Sequence, residues 1–326
     1  MRSKTIFLSL FMLMFSTFVL CQDEIEVCGE EYIILVEIPE VGTYTLISEP
    51  AIYPEGWDTL SSIIFWRTAI QTPPEKCLVS LASNREILGD IPSSIYQKKR
   101  YRSQRRYFRD SLKTAWDIPD QESIYITQGR AHYYLIEEAL PQIHESVPIF
   151  LEEGIDPWYA QAILLIESPG KIRKSRAGAY GPYQLMKTVG RQFGLSINKE
   201  VDERADLQKS ARATARFLRE VVIPNTIRLV ERRGQPYIEE SLWFKLLVLH
   251  VYHAGAGNVA GALRKIPYSV KENELIIQLW KTKSRRFRNA SQNYSQIVLA
   301  AKLELEKLIY QKKGKLIPPY FFQSSR

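Results

Sequence analysis

The sequence predicts a mainly α-helical protein in which a smaller α+β region precedes the helical part. After about residue 130 the apolar residues recur at helical spacing, and helix-start signals such as Asp156-Pro157 punctuate the pattern. Residues 32–47 instead carry β-branched and aromatic side chains broken by Pro39 and Gly42, which indicates a hairpin or two strands. With 326 residues, 45% of them hydrophobic, the chain can bury one large core or two ordinary ones.

The first residues predict export. Arg2 and Lys4 form a basic segment before an apolar run from Ile6 to Leu20, whose length of about fifteen residues is short for a membrane span. We therefore expect a signal peptide over 1–21, cleavage before Gln22, and a mature protein in the periplasm or cell envelope of a bacterium.

The cysteines agree with export. After cleavage only Cys28 and Cys77 remain, an even number in a compartment where disulfides persist. They either pair or stay as two buried thiols. The alternative to cleavage is an outer-membrane lipoprotein modified at Cys21, although the preceding Phe18-Val19-Leu20 lacks the small residue that a lipobox places before its cysteine.

A basic run at 98–109 is the main feature of the N-terminal region, 22–130. If the segment is helical, Tyr101, Phe108 and Leu112 share one stripe while the arginines lie on other faces, which favours a solvated amphipathic helix. Contact with cell-wall phosphates or carboxylates is the functional alternative. Basic and aromatic residues also occur together in nucleic-acid sites, but an exported protein rarely needs one.

The net charge suits an anionic polymer as partner. The formal charge of +8 includes Arg2 and Lys4, so the chain from Gln22 onward carries +6.

The helical part is predicted over 131–315, followed by a tail at 316–326. Asp156 and Pro157 supply an N-cap and a first-turn proline for a helix that ends at Glu167. Asp206 can cap a helix through Leu218. Apolar periodicity predicts two more helices, at 241–252 before the glycines at 255 and 257, and at 294–311.

Glu167 is the most informative residue of this part, because it ends the aliphatic run 163–166. A helix that is hydrophobic on most of its surface faces protein, and burial disfavours the ionised carboxylate. The partial negative charge of a helix C-terminus opposes ionisation as well. Both effects raise the pKa, and a carboxyl group still protonated near neutral pH can act as a general acid. The alternative is a structural ion pair with Arg173 or Lys174.

Three blocks after Glu167 resemble the motifs of soluble lytic transglycosylases, whose fold is related to goose-type lysozyme. Glu167-Ser168 followed by 175–186 (SRAGAYGPYQLM) is similar to the family's Glu-Ser…Ser-x-x-Gly-Ala-x-Gly-Leu-Met-Gln-Leu-Met signature. Residues 251–259 (VYHAGAGNV) resemble its Tyr-Asn-Ala-Gly-x-Gly-x-Val motif, and 293–298 (NYSQIV) its late Tyr-Val-x-x-Val element. The resemblance covers about 131–312 and implies a lysozyme-like α-helical catalytic domain.

The chain departs from the family pattern in three places. The loop between Ser168 and Ser175 is one residue shorter and lacks the usual Phe, Pro182-Tyr183 replaces Leu-Met, and His253 stands where the family has Asn. None of these changes removes the acidic residue.

The resemblance implies cleavage of the β-1,4 bond between N-acetylmuramic acid and N-acetylglucosamine in the glycan strands of peptidoglycan. One Glu protonates the leaving oxygen and then, as a carboxylate, takes the proton of the muramoyl 6-hydroxyl, so the product is a 1,6-anhydro sugar. Glu167 would carry both steps, without a cofactor or metal. The residues that would contact substrate or line the cleft are Ser168, Ser175, Gly178, Gln184, Met186, Tyr252, His253 and Tyr294.

Three other hypotheses about function compete with lytic transglycosylase activity. A hydrolytic lysozyme-like muramidase needs a second carboxylate, for which the acidic cluster Asp202, Glu203 and Asp206 is the candidate. A non-catalytic peptidoglycan-binding or assembly protein could keep the groove without the chemistry. His250 and His253, three residues apart, could place two imidazoles side by side for a metal, but the sequence has no His-Glu-x-x-His motif.

Overall fold

The computed structural model describes residues 32–167, 169 and 171–317. The hairpin predicted for 32–47 is confirmed: β1 (Ile33–Ile38) and β2 (Gly42–Ile47) pair antiparallel, with Ile33 opposite Ile47 and Ile38 opposite Gly42. The turn uses positive φ at Glu40 and Gly42, a conformation for which glycine is suited. A short strand from the other end of the chain, β6 (Lys315–Ile317), pairs with the free edge of β1.

A second antiparallel sheet belongs to the N-terminal region and has the order β4-β3-β5. Its elements, including the helix α1 that precedes it, are α1 (Ser61–Gln71), β3 (Lys76–Leu81), β4 (Ile87–Pro92), α2 (Ser93–Gln97), α3 (Arg102–Ala115) and β5 (Ile124–Gln128). The sheet and α3 enclose a small separate core of Cys77, Val79, Ile91 and Ile124.

The basic run does form a helix, and Phe108 and Leu112 pack against the small core as expected. Tyr101 does not join their stripe. The helix begins at Arg102, so Tyr101 has extended backbone angles, and it is 69% exposed. The basic side chains of α3 lie largely in solvent; Arg106, for example, makes only a long i,i+4 pair with Asp110.

The helical part is built from nine helices among the described residues. They are α4 (Leu140–Glu152), α5 (Trp158–Glu167), α6 (Lys187–Gln192), α7 (Leu207–Phe217), α8 (Ile223–Glu231), α9 (Leu242–Ala254), α10 (Ala256–Leu263), α11 (Glu272–Lys281) and α12 (Asn289–Gln311). The protein is thus mainly α with two small antiparallel sheets, in agreement with the predicted class.

The predicted helix boundaries hold with one correction. The Asp156 carboxylate accepts a hydrogen bond from the Trp158 N–H, and Asp206 caps α7 through the Lys209 N–H. The last long helix begins at Asn289 rather than Tyr294. Its first five residues include Ser291, Gln292 and Asn293, whose polar side chains do not show apolar periodicity but are buried, so only tertiary packing reveals this start.

Residues 32–72 pack into the core of the helical part. α1 lies along α12, and Arg67 forms an ion pair with Glu304 at 2.8 Å. The Gln161 amide of α5 exchanges two hydrogen bonds with the backbone of Ile47. The boundary near residue 130 stays a prediction, but these contacts divide the N-terminal region into a segment that shares the main core and a sheet, 73–128, with a core of its own.

No helix in the described part of the chain is long and apolar enough to cross a membrane.

Candidate active site

Glu167 is the last residue of α5, and the nine residues before it are all buried. Its side chain keeps 19% of its surface exposed, so the carboxyl group lies at the edge of the core and opens to one side. Burial raises the pKa of Glu167 to about 7. The sequence-based prediction of a raised pKa agrees with this environment.

Tyr294 holds the carboxyl group. It lies in the second turn of α12, is 5% exposed, and its hydroxyl donates a hydrogen bond of 2.8 Å to Oε1 of Glu167. A donor to the charged form favours ionisation, so this bond opposes burial and lowers the pKa of Glu167. Burial raises the pKa of Tyr294 itself, so the phenol remains a donor throughout the neutral range.

His253 is the second side chain beside the carboxyl group. It comes from the last turn of α9, its ring stacks on Tyr294 with centroids 4.3 Å apart, and its Nδ1 lies 4.0 Å from Oε1 of Glu167. Burial lowers the pKa of His253 to about 4, so the imidazole is neutral at pH 7. It therefore offers Glu167 a polar neighbour rather than a positive charge.

Tyr133 contacts the backbone of Glu167, and no motif in the sequence indicated it. Its hydroxyl donates to the Glu167 carbonyl at 3.1 Å, which satisfies one of the carbonyls left open at the end of α5. Arg173, a sequence candidate for pairing with Glu167, lies instead over the Tyr133 ring at 3.9 Å and donates to the Tyr133 carbonyl. In the described structure Glu167 forms no ion pair with Arg173 or Lys174. The one basic side chain within 4.0 Å of its carboxyl oxygens is that of His253.

The loop after α5 carries the other residues of the first motif block. The Ser175 Oγ accepts the Ala179 N–H at 3.0 Å and so closes a turn in which Gly178 has φ of 92°. The Gln184 side-chain amide donates to the carbonyls of Arg173 and Gly181, so its nitrogen holds the loop together. Met186 follows at the start of α6 and is 43% exposed.

Arg204, from a neighbouring segment, holds this loop in place. It is 2% exposed, and its guanidinium donates to the carbonyls of Gly178 and Leu185, both at 2.9 Å. Gly181 approaches it so closely that a Cβ would lie 1.7 Å from the Arg204 carbonyl oxygen, which only glycine permits. The loop is thereby fixed beside Glu167 by a residue outside the motif.

Tyr252 supports the same loop. Its hydroxyl donates a 2.6 Å hydrogen bond to the carbonyl of Tyr183, rather than to Glu167. The tyrosines of the second and third blocks therefore have different contacts: one holds the loop and the other holds the carboxyl group.

The acidic cluster 202–206 is occupied by structural contacts. Asp202 pairs with Arg204 at 2.7 Å, and that partner lowers its pKa. Glu203 pairs with Lys209 at 2.6 Å, and Asp206 caps α7. Among the described residues, the groups that shift the pKa of Glu167 include no second carboxylate.

His250 is separate from His253 in role. It is fully buried, and its Nε2 shares a 2.8 Å hydrogen bond with the Ser295 hydroxyl. In the part of the chain that is described, no group of three or more His, Cys, Asp or Glu side chains is arranged to hold a metal ion.

Several predicted features lie outside the described residues: the signal segment 1–21, Cys21, Cys28 and Ser168. Cys77 is a buried thiol of β3 whose pKa is raised by burial, and its pairing with Cys28 stays a prediction.

No protein-family model matches the chain, and no curated protein is significantly similar to it. An argument about function therefore depends on the site itself.

Proposed function

We propose that this protein is a peptidoglycan lytic transglycosylase with Glu167 as its catalytic acid and base. The observation that carries the proposal is a single carboxyl group at the end of a buried helix, with its pKa raised to about 7 by burial and its position held by the Tyr294 hydroxyl. Such a group is populated in both protonation states at neutral pH, which suits an acid that must next serve as a base.

In the first step the protonated Glu167 gives its proton to the glycosidic oxygen as the bond from C1 of the muramoyl residue breaks. The positive charge at C1 is stabilised by the substrate's own 2-acetamido oxygen. In the second step the 6-hydroxyl oxygen bonds to C1 and its proton returns to the Glu167 carboxylate. The products are a 1,6-anhydromuramoyl end and a free 4-hydroxyl, and no water is consumed.

The surrounding residues have roles that follow from their contacts. Tyr294 keeps Oε1 in place and stabilises the carboxylate formed after the first step. The neutral His253 leaves the acid free to hold its proton, whereas a cation at 4.0 Å would favour ionisation. The loop that carries Ser175, Gly178 and Gln184 would present its open face to sugar.

The fold class supports a lysozyme-like catalytic domain as part of the proposal. A mainly α protein whose acid ends a buried helix, followed by a turn-rich loop, is what the resemblance of the three motif blocks leads one to expect. Peptidoglycan strands as substrate, export, and residence in a bacterial envelope belong to the same proposal.

Among the described residues, the carboxylates suggested for the second step of hydrolysis are engaged in structural contacts. A muramidase would need a base to activate water, and the candidate carboxylates Asp202 and Glu203 are committed to Arg204 and Lys209. A non-catalytic binding protein would have no need for a carboxyl group whose burial raises its pKa.

Product chemistry tests the proposal. Digests of purified peptidoglycan should contain 1,6-anhydromuramoyl ends by mass spectrometry, with no oxygen taken from ¹⁸O-labelled water. Reducing ends that carry the label would establish hydrolysis instead, and the absence of any digestion would leave binding as the activity.

A further inference from the structure

A groove of about 1410 Å³ runs between the β4-β3-β5 sheet and the helical part. The sheet contributes the β3–β4 turn and β5, and the helical part contributes the end of α11, the segment 283–290 and the first turns of α12. Both the small sheet and the main core are therefore needed to form it.

Every charged residue that lines the groove is basic. Its lining includes seven basic residues and no Asp or Glu: Arg85, Arg130, Lys265, Lys281, Lys283, Arg285 and Arg288. None of the seven forms an ion pair with a carboxylate of the described chain, whereas Glu153 elsewhere engages three arginines at once. Cations gathered without counter-charge repel one another and create a field that attracts anions.

Arg85 is the most firmly held of these cations. It lies at the β3–β4 turn with φ of 68°, and its guanidinium lies 4.4 Å from the ring centre of Tyr125 and 5.1 Å from that of Phe65. One of its nitrogens donates to Oδ1 of Asn293 at 3.3 Å. The sheet is thus linked across the groove to the residue that precedes Tyr294.

Two buried polar atoms on the groove wall have no partner within the described structure. They are the Trp66 Nε1–H, a donor on a 6% exposed residue, and Oε1 of Gln296, an acceptor on a 3% exposed residue. Buried polar groups are normally hydrogen-bonded. Both atoms are themselves buried, so a ligand would contact them only by displacing neighbouring side chains; a peptide carries the carbonyl and N–H groups that would then satisfy both, whereas a phosphate polymer has no N–H donor.

The groove reaches the site of Glu167 without including it. Tyr133 lines the groove and donates to the Glu167 carbonyl. Through Ser284 and Arg285 the groove also meets a crevice of about 310 Å³ beside Gly255, which directly follows the helix of His253. The groove therefore adjoins the site at Glu167.

We propose that this groove binds the anionic peptide stem carried by the muramoyl residue, so that the protein selects peptide-bearing glycan strands over peptide-free ones. The inference rests on the proposed function for the sugar at Glu167. The carboxylates of the stem would face Lys281, Arg285 and Arg288, and its amides would lie along the wall that contains Trp66 and Gln296.

Binding to the inactive Glu167→Gln protein tests this without turnover. Soluble strands of matched length are prepared with their peptides and after removal of the peptides by an amidase, and the two dissociation constants are compared. We expect peptide-bearing strands to bind about tenfold more tightly, the effect of a few partly screened charge pairs, and the ratio to shrink as salt rises.

Charge variants test whether the cations of the groove cause this preference. In the same background, Lys281→Gln, Arg285→Gln and Arg288→Gln together should bring the ratio close to one. The matched control replaces three exposed cations outside the groove, Lys199→Gln, Arg228→Gln and Arg232→Gln, and should keep the full preference.

Equal binding of the two strands, or a preference that survives the groove variant, would overturn the inference. Inorganic polyphosphate that displaces the peptide-bearing strand as readily as free stem peptide does would also overturn it, because the groove would then be a general anion site. If the wild-type protein yields no anhydro ends while the binding preference holds, the proposed function fails and the peptide groove stands.

Discussion

At Glu167 two opposing influences set the pKa of one carboxyl group. Burial at the end of α5 favours the neutral acid, and the Tyr294 hydroxyl favours the carboxylate. The resulting pKa of about 7 keeps both forms available at neutral pH, as the proposed reaction requires. The apolar run before the residue made the first influence predictable, whereas the second comes from a tyrosine 127 positions away.

Replacing Glu167 with Gln should abolish cleavage. The amide is nearly isosteric but cannot donate or accept the proton, so activity on peptidoglycan should fall by a factor of at least about 10². Release of soluble fragments from purified peptidoglycan measures it. Glu145→Gln, at an exposed Glu of α4, is the matched control and should retain full activity.

The same variant should be more stable than wild type at pH 8, which separates it from a folding defect. The ordinary pKa of 4.5 is raised in the folded protein to about 7, so across that window the folded state holds more protons than the unfolded chain. The free energy of unfolding therefore falls as pH rises through it, and the full loss is present above pH 7. Thermal unfolding at pH 4 and pH 8 should show the variant's advantage only at pH 8.

Tyr294→Phe should move the pH profile. Because a general acid must be protonated, kcat/KM of the wild type should decline as pH rises through about 7. Loss of the phenol removes the hydrogen bond that favours the carboxylate, so the midpoint of this decline should move to higher pH, with a lower maximum. An unmoved midpoint would show that another group limits the alkaline side; His253, whose pKa burial lowers to about 4, cannot be that group.

At the scale of elements, the loop after α5 depends on contacts from a neighbouring segment. Two of its carbonyls, at Gly178 and Leu185, are satisfied by the buried Arg204, and Asp202 in turn pairs with that arginine. The motif itself contains the glycines that permit this approach. Arg204 lies within the acidic cluster 202–206, for which the sequence suggested only a helix cap or a second catalytic acid.

Arg204→Met should loosen this loop. The buried Leu185 carbonyl, the half-buried Gly178 carbonyl and the partly exposed Asp202 would lose their donor, which we expect to lower the free energy of unfolding by about 2–3 kcal/mol. KM should rise, because the loop that we propose to face substrate would lose its fixed shape. Denaturant unfolding and steady-state kinetics measure both effects. Arg232→Met, at an exposed arginine outside this loop and outside the groove, is the control and should change neither value appreciably.

At the scale of the whole molecule, the N-terminal region divides into two parts with different dependence on the helical core. Residues 32–72 supply β1, β2 and α1 to that core, and the Glu49 carboxylate lies 3.3 Å from the buried Lys245 ammonium. The sheet at 73–128 has a separate core and forms one wall of the cationic groove. The two ends of the segment 73–128 lie close together: the side-chain amide of Gln128 donates to the Pro74 carbonyl at 2.8 Å.

A fragment of 129–326 contains every residue to which we assign a chemical role in the proposed reaction, but it should be insoluble or inactive. It would expose the faces of α4 and α12 that β2 and α1 cover, and leave Lys245 buried without Glu49. Removal of 75–127 alone, with a two-glycine link between Pro74 and Gln128, should instead give a folded protein. That protein should cleave glycan strands and show a reduced preference for peptide-bearing ones, because Arg85 and one wall of the groove are gone while the cations of the helical part remain. Solubility, circular dichroism and digestion of both strand types distinguish the two outcomes.

The sequence by itself determined the features that are local in the chain. An apolar run that ends in Glu167, the cap at Asp156, the hairpin at 32–47 and the glycines of the loop all lie in short segments whose spacing reflects helix, strand and turn geometry. The raised pKa of the carboxyl group could be predicted for the same reason, since its main cause is the helix that carries it.

Only the tertiary structure decided which distant side chains contact Glu167, the loop after α5 and the first turns of α12. Tyr133, Arg204 and Arg85 act through contacts with residues 34, 26 and 208 positions away, respectively. The sequence around a tyrosine or an arginine looks the same whether the side chain faces solvent or another segment. Nothing local therefore distinguishes these three residues from their neighbours. The cationic groove shows the same limit, because its charge comes from four separate stretches of chain that are brought together only when the sheet packs against the helices.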